Sequence, residues 1–279
     1  MTVSTFIRFQ DDRGIIHYGE PSQRDLAVDL IGATVKLLEG DPFDGGLRPS
    51  TAVAKVAKVL CPLESTPAIL CIGLNYKEHA KEANLTIAPY PVVFMKLPTA
   101  LAGPYDDVHV HPDATPMLDY EGELVIVIGK DVKNVSEADG LDYVLGYTIG
   151  NDISARNFQL PDVSGGQFCY AKSFDGFAPI GPAICTRKAV PDPQALFYTT
   201  RVNGVKRQET STDDMIWTVK QIVHHLSRGT MLRRGTIIMT GTPSGVGLFL
   251  EPKGFVQHND IMEVELHGFG TLKNKVIFE

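Results

Sequence analysis

Asp119-Tyr-Glu-Gly-Glu-Leu-Val-Ile-Val-Ile-Gly129 decides the fold, because three alternating carboxylates run straight into an apolar stretch of strand formers. Side chains two apart on a strand face the same way, so Asp119, Glu121 and Glu123 share a face with Val125 and Val127. Like charges on one inward face repel, and either protonation or a bound cation must offset the repulsion. Oxygen-only donors favour a hard ion, Mg²⁺ first, with Mn²⁺ or Ca²⁺ as alternatives. The same spacing also fits a solvated strand end, so the rest of the chain has to discriminate.

Strands dominate on both sides of this stretch. Residues 68–73 and the apolar run of 89–98 that ends in Lys96 precede it; 145–150, a hairpin about Asn203-Gly204, 237–239, 261–267 and 270–278 follow. Helices are expected at 74–84 and, capped by Thr212, through Ser227, with a helix or turn capped at Ser136. The two prolines of 177–184 read as irregular backbone leading into a strand. Residues 1–64 read as a small N-terminal domain with strands near 5–10, 14–19 and 26–30 and a helix after Ser50 over Val53, Val56 and Val59. The prolines of 61–67 set the boundary with a second domain at 65–279. The fold class is mixed α+β, rich in β.

Of the 279 residues, 43% are hydrophobic and 21% charged, with a formal net charge of −7, which is neither the polarity of a disordered chain nor the basic balance of a nucleic-acid binder. No apolar run approaches the ~20 residues of a membrane helix and no signal peptide is recognisable. A cytoplasmic protein with neither nucleic-acid nor membrane partner is expected. Cys61, Cys71, Cys169 and Cys185 form no CxxC and read as reduced, mostly buried thiols.

Chemistry gathers at strand ends. Asp152 follows the strand 145–150 directly and supplies a third carboxylate beside Glu121 and Glu123, leaving coordination positions for water and a chelating substrate. His79 and Glu82 lie three apart on a helix, where a carboxylate orients an imidazole for general-base work, although a Lys/Glu-rich helix also carries such pairs on its surface. Lys96 ends a buried strand and could hold a substrate anion; Lys172 offers a cation near the carboxylates. The glycine-rich turn after 237–239, which contains Thr242, could cradle a carboxylate. Residues 165–173 lack the glycine that a phosphate loop needs before Lys172.

Asp119-Tyr-Glu-Gly-Glu-Leu, the segment 146–156 ending in Arg156, Lys172-Ser-Phe-Asp-Gly-Phe-Ala-Pro-Ile-Gly-Pro182 and Thr240-Gly-Thr-Pro-Ser-Gly-Val-Gly247 occur in that order. Together they resemble the fumarylacetoacetate hydrolase family, in particular its shorter domain-containing members, over about residues 68–279. The resemblance implies a rolled mixed β-sheet catalytic domain, a homodimer and Mg²⁺ or Mn²⁺. It implies Glu121, Glu123 and Asp152 as metal ligands, His79, Glu82, Lys172 and Gln159 as catalytic residues, and Lys96, Arg156 and Thr242 on the substrate side. Lys96-Leu-Pro-Thr99 and Asn157-Phe158 depart from the family's usual Lys-Pro-x-Ser and Asp-Trp, which bears on substrate identity.

A 2-oxo acid can chelate such a metal through its carboxylate and 2-oxo oxygen, and the Lewis acid stabilises an enolate. The favoured outcome is carbon–carbon cleavage, by acylpyruvate hydrolysis or oxaloacetate decarboxylation, because a dyad able to activate water is present. Oxaloacetate keto–enol tautomerisation is the alternative, and a non-catalytic metal- or small-molecule-binding protein a third reading.

Overall fold

The structure, a computed structural model, describes residues 3–28 and 30–279. A twelve-stranded sheet organises it, running in the order Arg48–Lys55, Thr34–Glu39, Ile16–Glu20, Thr5–Gln10, Ala178–Thr186, Val144–Asn151, Gly122–Ile128, Ile237–Met239, Ile69–Gly73 and Val92–Lys96, with two short strands paired alongside. Most neighbours are antiparallel; Ile237–Met239 and Ile69–Gly73 run parallel. A five-stranded sheet carries the hairpin Phe197–Val202/Val205–Ser211 and the strands Ile261–Leu266, Gly270–Phe278 and Val108–Val110. The architecture is thus mainly β, with sparse short helices.

Gly122–Ile128 lies in the middle and is buried along its whole length. Its even positions, Leu124, Ile126 and Ile128, pack with Tyr147, Ile149, Ile222 and Val223; its odd positions, Val125 and Val127, pack with Phe6, Ile69, Cys71, Phe94 and Ile180. Two cores therefore share one strand, which explains an unbroken apolar run where a half-exposed strand would alternate. Each fully buried aliphatic side chain contributes roughly 1.5–3 kcal/mol to stability, so the strand that the carboxylates enter is held from both faces.

Four local expectations are corrected. Leu26 belongs to a helix, Gln23–Ala27, because Ser22 and Asp25 form a reciprocal capping box; Asp29, in the expected strand, lies outside the described residues. The stretch after Ser50 forms strands, Arg48–Lys55 and Lys58–Leu60, since its valines favour extended backbone and Val53 is exposed. Residues 178–186 are a continuous strand despite Pro179 and Pro182: the register against Val144–Asn151 shifts between Gly181 and Cys185, where Pro182 lies, and Pro179 stands opposite Ala102 of a short parallel strand. The helix expected from Thr212 starts at Val219, with Thr218 and Gln221 as its capping box, while Thr212–Asp214 makes one separate 3₁₀ turn.

Thr5–Gln10 pairs with Ala178–Thr186, Thr5 opposite Cys185 and Phe6 opposite Ile184, so hydrogen-bonded sheet crosses the proposed boundary at residue 64. No helix among the described residues is long and apolar enough to cross a membrane.

Candidate active site

Glu121, Glu123 and Asp152 converge where the pair Gly122–Ile128/Val144–Asn151 ends. Gly122 stands opposite Asn151, the Asp152 N–H donates to the Glu121 carbonyl at 2.8 Å, and the Asn151 side-chain oxygen accepts from the Glu121 N–H at 2.9 Å. One oxygen from each of the three buried carboxylates lies within 4.8 Å of the others. Asp119 is not one of the three and lies on a separate strand, which corrects the reading of one unbroken strand. The chain breaks at Tyr120–Glu121, and Leu118–Asp119 pairs instead with Ser154–Ala155.

Three buried cations surround these groups. Lys172 Nζ lies 2.8 Å from Glu121 Oε2 and 2.7 Å from Asp152 Oδ2, and 5.0 Å above the Phe94 ring. Lys96 donates to Asp152 Oδ1 and to the Ile153 carbonyl, the latter at 3.1 Å, so its ammonium is engaged by a carboxylate of the cluster. Arg156 bonds Asp119 through Nε at 2.8 Å and Glu121 through Nη1 at 2.7 Å, and Nη1 also donates to Gln159 Oε1 at 2.7 Å. Arg156 thus orients Glu121 and Gln159.

Asp119, Glu121, Glu123 and Asp152 make four buried carboxylates against three buried cations, Lys96, Lys172 and Arg156. Burial pushes the Glu121 carboxyl up, but Lys172 and Arg156 outweigh it and hold the group at about 2. Burial, then the charges of Asp152 and Glu121, push the Glu123 carboxyl well above the carboxylate range. Among the described residues no cation lies within ion-pair reach of Glu123; its partner is the Gly241 N–H at 2.7 Å. One uncompensated carboxylate in a cluster of oxygen donors fits a hard divalent cation in chemistry and charge.

The helix Lys77–Glu82 carries the dyad. His79 Nδ1 lies 2.8 Å from Glu82 Oε2, Glu82 Oε1 accepts from the Gly245 N–H at 2.8 Å, and the His79 ring sits 6.0 Å from that of Phe249. Through the Gly245 N–H on Glu82 and the Gly241 N–H on Glu123, one turn ties the dyad to the acidic cluster. The glycine-rich turn therefore cradles carboxylates of the protein itself: Gly241 serves Glu123, Gly245 serves Glu82, and the N–H groups of Gly247 and Leu248 serve Asp119 at 2.8 and 3.0 Å. The Thr242 hydroxyl donates to the Gly122 carbonyl at 3.0 Å and accepts from Gln208 Nε2 at 2.7 Å, so it joins the turn to the acidic strand.

Two side chains escaped the sequence reading. Gln208 is buried, accepts from the Gly122 N–H at 3.0 Å and donates to Thr242 and to the Pro243 carbonyl. Asn75 donates to the Thr240 carbonyl at 2.7 Å and accepts from the Trp217 N–H at 2.7 Å. Both act across distant parts of the chain and carry no local pattern.

A family model described as fumarylacetoacetate (FAA) hydrolase C-terminal matches residues 68–277. A fumarylacetoacetate hydrolase domain-containing protein 2 homolog of Dictyostelium discoideum is 43% identical over 228 residues, which cover 78% of this chain and 74% of that protein. Oxaloacetate tautomerase fahd2, mitochondrial, of Xenopus laevis is 36% identical over 78% of this chain and 68% of its own. The crystal structure of 2-hydroxyhepta-2,4-diene-1,7-dioate isomerase from Mycobacterium marinum superposes with a TM-score of 0.82 over 99% of both chains at 32% identity. On the matched motifs, the shared fold and the carboxylate cluster, this chain belongs to the fumarylacetoacetate hydrolase family.

Proposed function

We propose that the protein is a divalent-metal-dependent keto–enol tautomerase of a 2-oxo acid such as oxaloacetate. The observation that carries this reading is a single oriented base, His79 held by Glu82, beside a three-carboxylate cation site. A divalent cation held by Glu121, Glu123 and Asp152 would act as a Lewis acid on the 2-oxo oxygen and the adjoining carboxylate. Glu82 Oε2 accepts the Nδ1–H of His79, which leaves the Nε2 lone pair to take the proton from C3 and hand it to the 2-oxo oxygen, or to carry it the opposite way. Lys172, kept protonated by Asp152 and Glu121 against the effect of burial, supplies positive charge to oxygen as the enol develops. Gln159 has its oxygen tied to Arg156, leaving its N–H₂ as a donor. Moving one proton between C3 and the 2-oxo oxygen needs no further reactant, and the tautomerase name of the Xenopus laevis relative supports this choice.

Carbon–carbon cleavage is the second reading. The side chains of His79 and Glu82 are 12% and 20% exposed, so water reaches the dyad and could be deprotonated by the same Nε2. Product analysis separates the two: intact carbon skeletons support tautomerisation, whereas pyruvate formed above the uncatalysed rate supports cleavage. We also infer a homodimer, supported by the exposed apolar row of Val93 and Met95 on the edge strand Val92–Lys96 and Leu97 just beyond it. Sedimentation at a monomer mass would contradict it.

A further inference from the structure

Asp119 lies beside the three carboxylates of the cation site without being one of them. It is buried, and four donors converge on its carboxylate: the N–H groups of Tyr120 and Gly247 on Oδ1 at 3.0 and 2.8 Å, and Arg156 Nε and the Leu248 N–H on Oδ2 at 2.8 and 3.0 Å. The turn closes on it so tightly that a Cβ at Gly247 would stand 2.6 Å from Oδ1. Every contact is a donor aimed at oxygen, so a carboxylate fits there and an amide, with an N–H₂ of its own, does not.

Two paths lead from Asp119 to the reacting groups. The first runs through Arg156. Its guanidinium is held at two corners, Nε by Asp119 and Nη1 by Glu121 Oε1 and Gln159 Oε1, both at 2.7 Å, while Nη2 is buried with no hydrogen-bond partner. Released at Nε, the plane would turn about Nη1, so Asp119 fixes the direction in which Arg156 holds Glu121 and Gln159. The second path runs through the turn. Gly247 and Leu248 open the 3₁₀ turn Gly247–Phe249, whose Phe249 ring centroid lies 6.0 Å from that of His79. Gly245, just before it, holds Glu82 through its N–H and accepts from the Tyr120 hydroxyl at 2.8 Å.

Resting on the cation-dependent reading, we propose that Asp119 is a positioning residue that ties the two halves of the site together. Through Arg156 it aims Glu121 at the cation, and through the turn it keeps His79 and Glu82 in place beside it. Plain charge attraction has a different signature, because a buried anion near a cation strengthens binding whether or not Arg156 is intact.

The test measures Mg²⁺ affinity by calorimetry in Asp119→Asn, Arg156→Lys and the double variant, with thermal melts to verify folding. Loss of a group that orients a ligand predicts roughly 10- to 100-fold weaker binding in Asp119→Asn. Lysine keeps a charge beside Glu121 but cannot hold two carboxylates in one plane, so Arg156→Lys should weaken binding similarly, and the double variant no further than the weaker single. Additive losses, or wild-type affinity in folded Asp119→Asn, would overturn the assignment. Should Asp119→Asn not fold, Arg156→Lys decides: weakened affinity supports the role and wild-type affinity overturns it. The dyad is read without turnover, from the ¹⁵N resonance of His79 Nδ1, which reports its bond to Glu82; it should shift in Asp119→Asn, and an unmoved resonance would also overturn the assignment. If wild type binds no divalent cation, the metal reading fails separately and this resonance decides for Asp119.

Discussion

The Gly245 N–H donates to Glu82 Oε1 at 2.8 Å while the other oxygen of that carboxylate lies 2.8 Å from His79 Nδ1. A backbone amide therefore aims the dyad, and the glycine is required twice over, by its φ of +101° and by its contact with the Arg207 carbonyl. Glu82→Gln keeps the shape but cannot accept from both neighbours, because its N–H₂ must face one of two donors. Turnover should fall at least about 100-fold with cation affinity retained. Unchanged steady-state kinetics would remove the dyad from the mechanism.

Gly245→Ala forces a Cβ against Arg207 in a backbone region that L-residues avoid. We expect a stability loss on the order of 3 kcal/mol, read by denaturant unfolding, together with slower turnover as Glu82 loses its anchor.

Arg156 is the partner of two buried carboxylates, Asp119 and Glu121. Arg156→Met leaves both without it, and breaking a buried ion pair from one side costs roughly 3–5 kcal/mol. The expected variant is strongly destabilised in chemical denaturation and weakened in cation affinity. Wild-type stability would contradict the role given to this arginine.

Chelation should abolish activity and lower the melting temperature, because the excess carboxylate in the cluster again lacks a cation. Adding Mg²⁺ or Mn²⁺ at a hundred times Kd should restore about 2.7 kcal/mol if the folded state alone binds the ion. A melting curve blind to both treatments would argue against the site at Glu121, Glu123 and Asp152.

Burial pushes the Cys61 and Cys185 thiols up to about 12 and raises Cys71 well above the usual thiol range, whereas Cys169 is exposed. Thiolate, not thiol, reacts with alkylating agents. Iodoacetamide at pH 8 should therefore modify native protein at Cys169 alone, as peptide mass spectrometry would show.

The acidic strand was legible because its signal is local: an apolar run too long for one half-exposed face, entered by carboxylates at two-residue spacing. Asn203-Gly204 was legible for a similar reason, since φ of +51° and +75° suits just such a pair in a two-residue turn. Asp119 was misplaced because its pairing with Ser154–Ala155 depends on a segment 35 residues away in sequence. Pro179 and Pro182 hid a strand whose register shift absorbs Pro182 and whose start pairs with Ala102 at Pro179. Lys96 and Thr242 sit close to the site, yet their polar atoms are engaged by the protein, and only tertiary geometry shows that. Gln208 lies in an ordinary-looking hairpin, where the bulge beside it is invisible before pairing.

The most direct measurement is a proton NMR time course of enol oxaloacetate in D₂O with Mg²⁺-loaded protein, with and without chelator. Chelator-sensitive acceleration of enol–keto exchange with the four-carbon skeleton intact is the predicted result. Pyruvate appearing faster than in buffer, or exchange at the buffer rate, would contradict the tautomerase account.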